Sequence, residues 1–174
     1  YGDWSSDVCS SDLVHGDARV LALTFLDASD DDVAFVESII GRTLSGRCAV
    51  VVRRATGEPV VIENEPHLRD GTPMPTLFWL IDPELHDEVS RLESEGGVHR
   101  FEDDIDATVL AHTHEDYARR RAAATVQTSG PQPTGGVGGT RHGIKCLHAH
   151  LAHYLAGFPD PDRKSTRLNS SHRT

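Results

Sequence analysis

Apolar positions recur at helical spacing from Val33 through Val36 to Ile39 and Ile40, a stripe that predicts an amphipathic helix. Ser29 supplies an N-cap. Asp30, Asp31 and Asp32 fill a first turn whose free N–H groups favour negative charge, and Gly41 ends the helix. The period then changes. Residues 48–53 (CAVVVR) and 60–63 (VVIE) are β-branched runs separated by the turn residues Ala55-Thr56-Gly57-Glu58, the pattern of a hairpin. Residues 76–81 (TLFWLI) are the most apolar run and predict a buried central strand; residues 98–101 predict a short edge strand.

Helical spacing returns at Leu85, Val89 and Leu92, with Asp82 as N-cap, Pro83 in the first turn and Gly96-Gly97 past the end. A long helix is expected over 106–125. A last one is expected over about 144–156, with Leu147, Leu151 and Leu155 as its core face. Between these elements, 65–75 (EPHLRDGTPMP) carries too many prolines for regular structure, and 127–143 is a loop rich in Gly, Pro and Thr. This order predicts an α+β domain: a small, mostly antiparallel sheet of three to four strands packed with about four helices.

The two ends do not fit that picture. Residues 162–172 (DRKSTRLNSSH) are similar to one reading frame of a sequencing adapter, and 3–13 (DWSSDVCSSDL) to a frame of its reverse complement. The composition would equally suit Ser-rich disordered tails, and in either case such segments are set aside before fold reasoning. The expected organisation is adapter-derived sequence at 1–13 and 162–174, a linker at 14–28, and one domain at 29–161. The natural C-terminus is expected to lie further on.

Setting aside both tails removes four basic and four acidic residues and leaves the net charge at −10. Acidity of that size disfavours a nucleic-acid partner, which needs clustered Lys and Arg. Arg119-Arg120-Arg121 is the one dense basic run and is expected at the solvated end of a helix. Cys48 and Cys146 are too few and too far apart for a disulfide framework, which points to a reducing cytoplasm. No apolar run approaches the ~18 residues of a membrane span. Cys48, inside a strand, is expected to be a small buried hydrophobe.

The chemistry concentrates in 145–153, KCLHAHLAH. At about 100° per residue, Cys146, His150 and His153 share one helix face and His148 points almost the opposite way. A thiolate and two imidazoles are a zinc-type donor set, with His67, His112 or Glu115 available for a fourth position. The plainer alternative has these histidines flanking the leucine face of a core helix. Cys146 near a helix N-terminus and beside Lys145 is also a candidate nucleophile, with His150 or His67 as base. The glycines of 135–143, leading into that helix with Arg141, His142 and Lys145, form a candidate anion site, although Walker and dinucleotide patterns are absent. HTHEDY, 112–117, puts His112 with Glu115 on one face and His114 with Tyr117 on another. It lacks the HExxH spacing and is expected to be a solvated face.

HLRDGTPMPTLFWLIDPEL, LESEGG, HEDYARRR and GVGGTRHGIKCLHAHLAH, in that order, resemble the successive motifs of the bacterial domain-of-unknown-function family 501. The resemblance covers about 29–161. The chain departs from the family pattern at Met74, where phenylalanine is usual, and at Ile81-Asp82, where a Thr-Cys pair is common. The resemblance implies a small cytosolic bacterial protein and brings no activity. It marks His67, Asp70, Gly71, Thr72, Pro75, Thr76, Cys146, His148 and His150 as motif positions, and so implies a pocket where the Pro-rich loop meets the last helix. Asp70, Thr72, Thr76, Gly138, Gly139, Arg141, Lys145 and His148 are then the expected ligand-binding residues. The expected function is binding of a small anionic ligand, or of a partner's acidic group. The rivals are a Cys/His-dependent or metal-assisted hydrolase or transferase, and a purely structural partner-binding domain.

Overall fold

A computed structural model describes residues 26–127 and 129–160. The tail expectations at 1–13 and 162–174, and most of the linker expectation at 14–28, lie outside the described residues. Within them the chain runs α1 (Asp30–Ile40), β1 (Cys48–Arg53), β2 (Pro59–Asn64), β3 (Phe78–Leu80), α2 (Pro83–Ser94), α3 (Gly97–Asp104), α4 (Ala107–Ala124) and α5 (Leu147–Leu155). This is an α+β fold. The sheet has three antiparallel strands in the order β1-β2-β3.

The local signals act as their chemistry dictates. Ser29 and Asp32 form a reciprocal capping box on α1, and Gly41 closes it in the left-handed region at φ 69°. Asp82 caps α2 by accepting the Leu85 N–H at 3.0 Å, and is itself held by Arg54. Burial acts against ionisation of Asp82. The Arg54 guanidinium and the Leu85 N–H outweigh it, so its pKa is lowered.

The sheet is covered on both faces. Val36 and Leu44 pack on Cys48, Ile62 and Ile81 on one side. On the other, Leu147 and Leu151 of α5, Val89 of α2, and Leu110 and Tyr117 of α4 pack with Val61, Phe78 and Leu80. Cys48 is buried, as its strand position required, and burial pushes its thiol pKa up.

Three sequence expectations fail for physical reasons. The 76–81 run is not a central strand: β2 is central, and β3 is a three-residue edge strand. Its unbroken apolarity reflects helices above and below it, not strands on both sides. Residues 98–101 are not a strand but part of α3, where Val98 and Phe101 stand at helical spacing and, with Ile105 just past the helix end, pack on the core. The basic run is not wholly solvated. Arg119 is exposed, whereas Arg120 packs 4.3 Å over Phe158 and pairs with Glu63 at 3.1 Å. Arg121 is 2% exposed.

The two sheet edges differ, and the β3 edge borders the site. On β3, the Ile81 N–H bonds to Val60 and the Leu77 carbonyl accepts from Asn64, so the alternate Phe78 and Leu80 peptide groups turn away from β2. On β1, the register shifts between Val50 and Arg53.

Candidate functional site

A cleft of about 750 Å³ opens beside the β3 edge. Ser38, Ile39 and Ile40 at the end of α1 form one wall, with Trp79 and Leu80 on the floor. His86 and Asp87 come from α2, Gly138, Lys145 and Cys146 come from the approach to α5, and His148 comes from its first turn. The lining mixes apolar and polar residues, and Lys145, Cys146 and His148 supply polar groups at the end of the cleft formed by the start of α5.

That end is built by a short detour of the backbone. Cys146 is the N-cap of α5 in an extended conformation, φ −156° and ψ 146°, and its side chain makes no cap bond. Glu93, near the end of α2, does the capping: its Oε1 accepts the Leu147 N–H at 2.5 Å. The same oxygen lies 3.2 Å from His148 Nδ1. His148 Nε2–H donates to the His86 carbonyl at 3.1 Å, with Ser90 Oγ at 3.2 Å. Burial acts against a charged His148. Its bond to Cys146, the Glu93 carboxylate and the His86 carbonyl prevail, so its pKa is raised. Among the described residues, Glu93, Cys146 and His148 bring their donor atoms within 4.8 Å of one another.

The helical-wheel grouping of Cys146, His150 and His153 does not form. Cys146 precedes the first helical residue, so the 100° rule does not reach it, and its extended backbone swings it toward His148. His150 and His153 turn inward. Their Nδ1–H groups both donate to Asp160, at 2.9 and 3.1 Å. All three side chains are buried, and His150 Nε2 has no hydrogen-bond partner among the described residues.

The Pro-rich and Gly-rich loops meet each other, and much of their polar chemistry is used in doing so. Arg121 donates to the carbonyls of Pro75 at 2.8 Å, Gly135 at 2.5 Å and Pro133 at 3.4 Å. His114 donates Nε2–H to Gly143 at 3.0 Å and accepts the Val137 N–H on Nδ1 at 3.1 Å, which fixes the neutral ring. Burial lowers its pKa. So the His114/Tyr117 face of HTHEDY is core, and only the His112/Glu115 face is solvated. Gly136 packs so closely on His114 that a Cβ there would overlap the ring.

Of the expected ligand-binding residues, Thr76, Gly138, Lys145 and His148 line the cleft. Asp70, Thr72, Gly139 and Arg141 do not, and neither does the candidate base His67. His67 is buried and donates Nε2–H to Pro131 at 3.1 Å. The Asp70 carboxylate accepts the Thr72 N–H at 2.9 Å within a turn, and that bond lowers its pKa. Gly139 packs on Pro75, and Arg141 is exposed away from the cleft. His67 and His150, the candidate bases for Cys146, are both engaged elsewhere. Glu93, His86 and Asp160 were not foreseen. Glu93 and His86 act across more than fifty positions, and Asp160 acts from beyond the end of α5; only the cap geometry at Leu147 explains why a carboxylate stands where Glu93 does.

A family model described as protein of unknown function (DUF501) matches residues 50–163. The chain belongs to that family. No curated protein and no solved structure matches it. The DUF501 match covers the whole sheet except the first residues of β1, and all of α2 to α5, so every cleft residue except those of α1 falls inside it. No described helix of this DUF501 chain is long and apolar enough to cross a membrane.

Proposed function

We propose that the cleft binds a small molecule with an apolar body and an anionic head. The observation that carries this is that Lys145 and His148 line the same cleft as Ile39, Ile40, Trp79 and Leu80, with Asp87 the one carboxylate among the described residues of its lining. Side chains hold the anion in this reading, because the Glu93 carboxylate already occupies the first N–H of α5. The free thiols of Cys48 and Cys146 suit a reducing bacterial cytoplasm. The test is a thermal-shift series with aromatic and aliphatic carboxylates and phosphate esters. Stabilisation that Lys145→Ala diminishes is expected. If no member of the series shifts the melting temperature, or if Lys145→Ala changes nothing, the reading is wrong.

The convergence of Cys146, His148 and Glu93 favours a second reading, a hydrolase or transferase working at this same end. Cys146 would attack or would hold a metal, and His148 would carry the proton or ligate. Ester turnover that Cys146→Ser abolishes and Cys48→Ala leaves intact supports it; turnover insensitive to Cys146→Ser removes it.

A further inference from the structure

His148 has its tautomer fixed by a neighbour that can only accept. The His86 carbonyl, 3.1 Å from Nε2, requires the hydrogen there, so the neutral ring turns the Nδ1 lone pair toward Glu93 Oε1, 3.2 Å away. Two acceptors face each other at that separation only with something positive between them, either a proton on Nδ1 or a metal cation. Cys146 Sγ is the third atom of the group. Sulfur, imidazole nitrogen and carboxylate oxygen together form the donor mix of zinc, whereas magnesium and calcium take oxygen.

We infer that Glu93, Cys146 and His148 form a zinc site whose fourth position opens into the cleft. Tetrahedral zinc, with bonds of about 2.0–2.3 Å, sets its donor atoms about 3.3–3.8 Å apart. Donors now within 4.8 Å of one another draw in by about an ångström, a small side-chain adjustment. The surroundings suit the role. The His86 carbonyl gives His148 the outer hydrogen bond that ligating imidazoles normally have, and the Leu147 N–H steadies Glu93. Three protein ligands with an open position are the arrangement of a catalytic zinc, not of a closed structural one. Cys146 and His148 line the cleft, so a water or a ligand oxygen reaches that position.

The inference deepens the second reading above, and metal content is measured without any substrate, so failure of activity and failure of metal binding are separate results. The full chain is stripped of metal and titrated with zinc against a competing chelator. Cobalt(II) is then substituted as a spectroscopic probe. One zinc per chain is expected, with a thiolate-to-cobalt charge-transfer band in the near ultraviolet that Cys146→Ser removes. Glu93→Gln and His148→Gln weaken zinc binding at least about tenfold. His112→Ala, on the solvated face of α4, leaves it unchanged. Circular dichroism reports whether each variant is folded, and the cobalt spectrum of the unaltered chain decides the matter if one is not. A cobalt-loaded chain without the band, a ratio well below one per chain, or an affinity indifferent to Cys146→Ser and Glu93→Gln overturns the inference.

Discussion

His150 donates its Nδ1–H to the Asp160 carboxylate at 2.9 Å with both side chains in the interior. His153 donates to the same carboxylate. Asp160 lies beyond the end of α5, so these bonds fasten the chain after the helix back onto it. Asp160→Asn keeps one acceptor oxygen and turns an NH₂ toward the second imidazole. A loss of about 1.5–3 kcal/mol is expected from urea unfolding. An unchanged midpoint would mean that the clamp carries no stability.

Arg121 makes the corresponding clamp between the two irregular loops. Its planar fork reaches carbonyls of Pro75 and Gly135 at once, which a single ammonium does not reproduce. Arg121→Lys is expected to destabilise the fold by about 1–2 kcal/mol, since at least one partly buried carbonyl loses its charged donor. Equal stability of the lysine variant would show that charge alone suffices there.

Tyr117 Oη accepts the Leu77 N–H at 2.5 Å, and Tyr117 is 1% exposed. Burial pushes its pKa up to about 12, so the phenol stays neutral through the physiological range. Tyr117→Phe leaves that N–H buried and unsatisfied, at a cost of about 1–3 kcal/mol. Calorimetry showing no change in melting temperature would contradict this assignment.

His114 gives the pH dependence. Its folded pKa is depressed by burial below the ordinary value near 6.5. The neutral ring therefore contributes stability that is full above about pH 6.5 and declines as the pH falls through the folded pKa. In His114→Gln the acid limb of the stability curve should flatten in that window. Superimposable curves for the two proteins would rule His114 out as its source.

The parts of this fold that were legible in the sequence are those written in short spans. Ser29 with Asp32, Asp82 with Leu85, and Asp106 with Val109 mark helix starts through bonds three residues long. The hairpin is set by turn residues and β-branching. What was hidden depends on partners far away. Residues 98–101 form too short an apolar run to declare a period, and only packing on the core makes them helical. The 76–81 run shows that it is buried but not by what. At the site, a periodic rule applied one residue too early grouped Cys146 with His150. The extended Cys146 backbone regroups it with His148 and with Glu93, more than fifty positions upstream.

The sheet ends without inviting another chain. Its β3 border is sunk between α1 and the approach to α5, so the outward peptide groups of Phe78 and Leu80 face a recess instead of open water. Its β1 border is bent by the register shift near Val52 and finished by Arg53, which is tied to Asp32. Among the described residues, neither border offers the long straight run of unpaired backbone that intermolecular strand addition requires, an arrangement that disfavours edge-to-edge pairing of this three-stranded sheet.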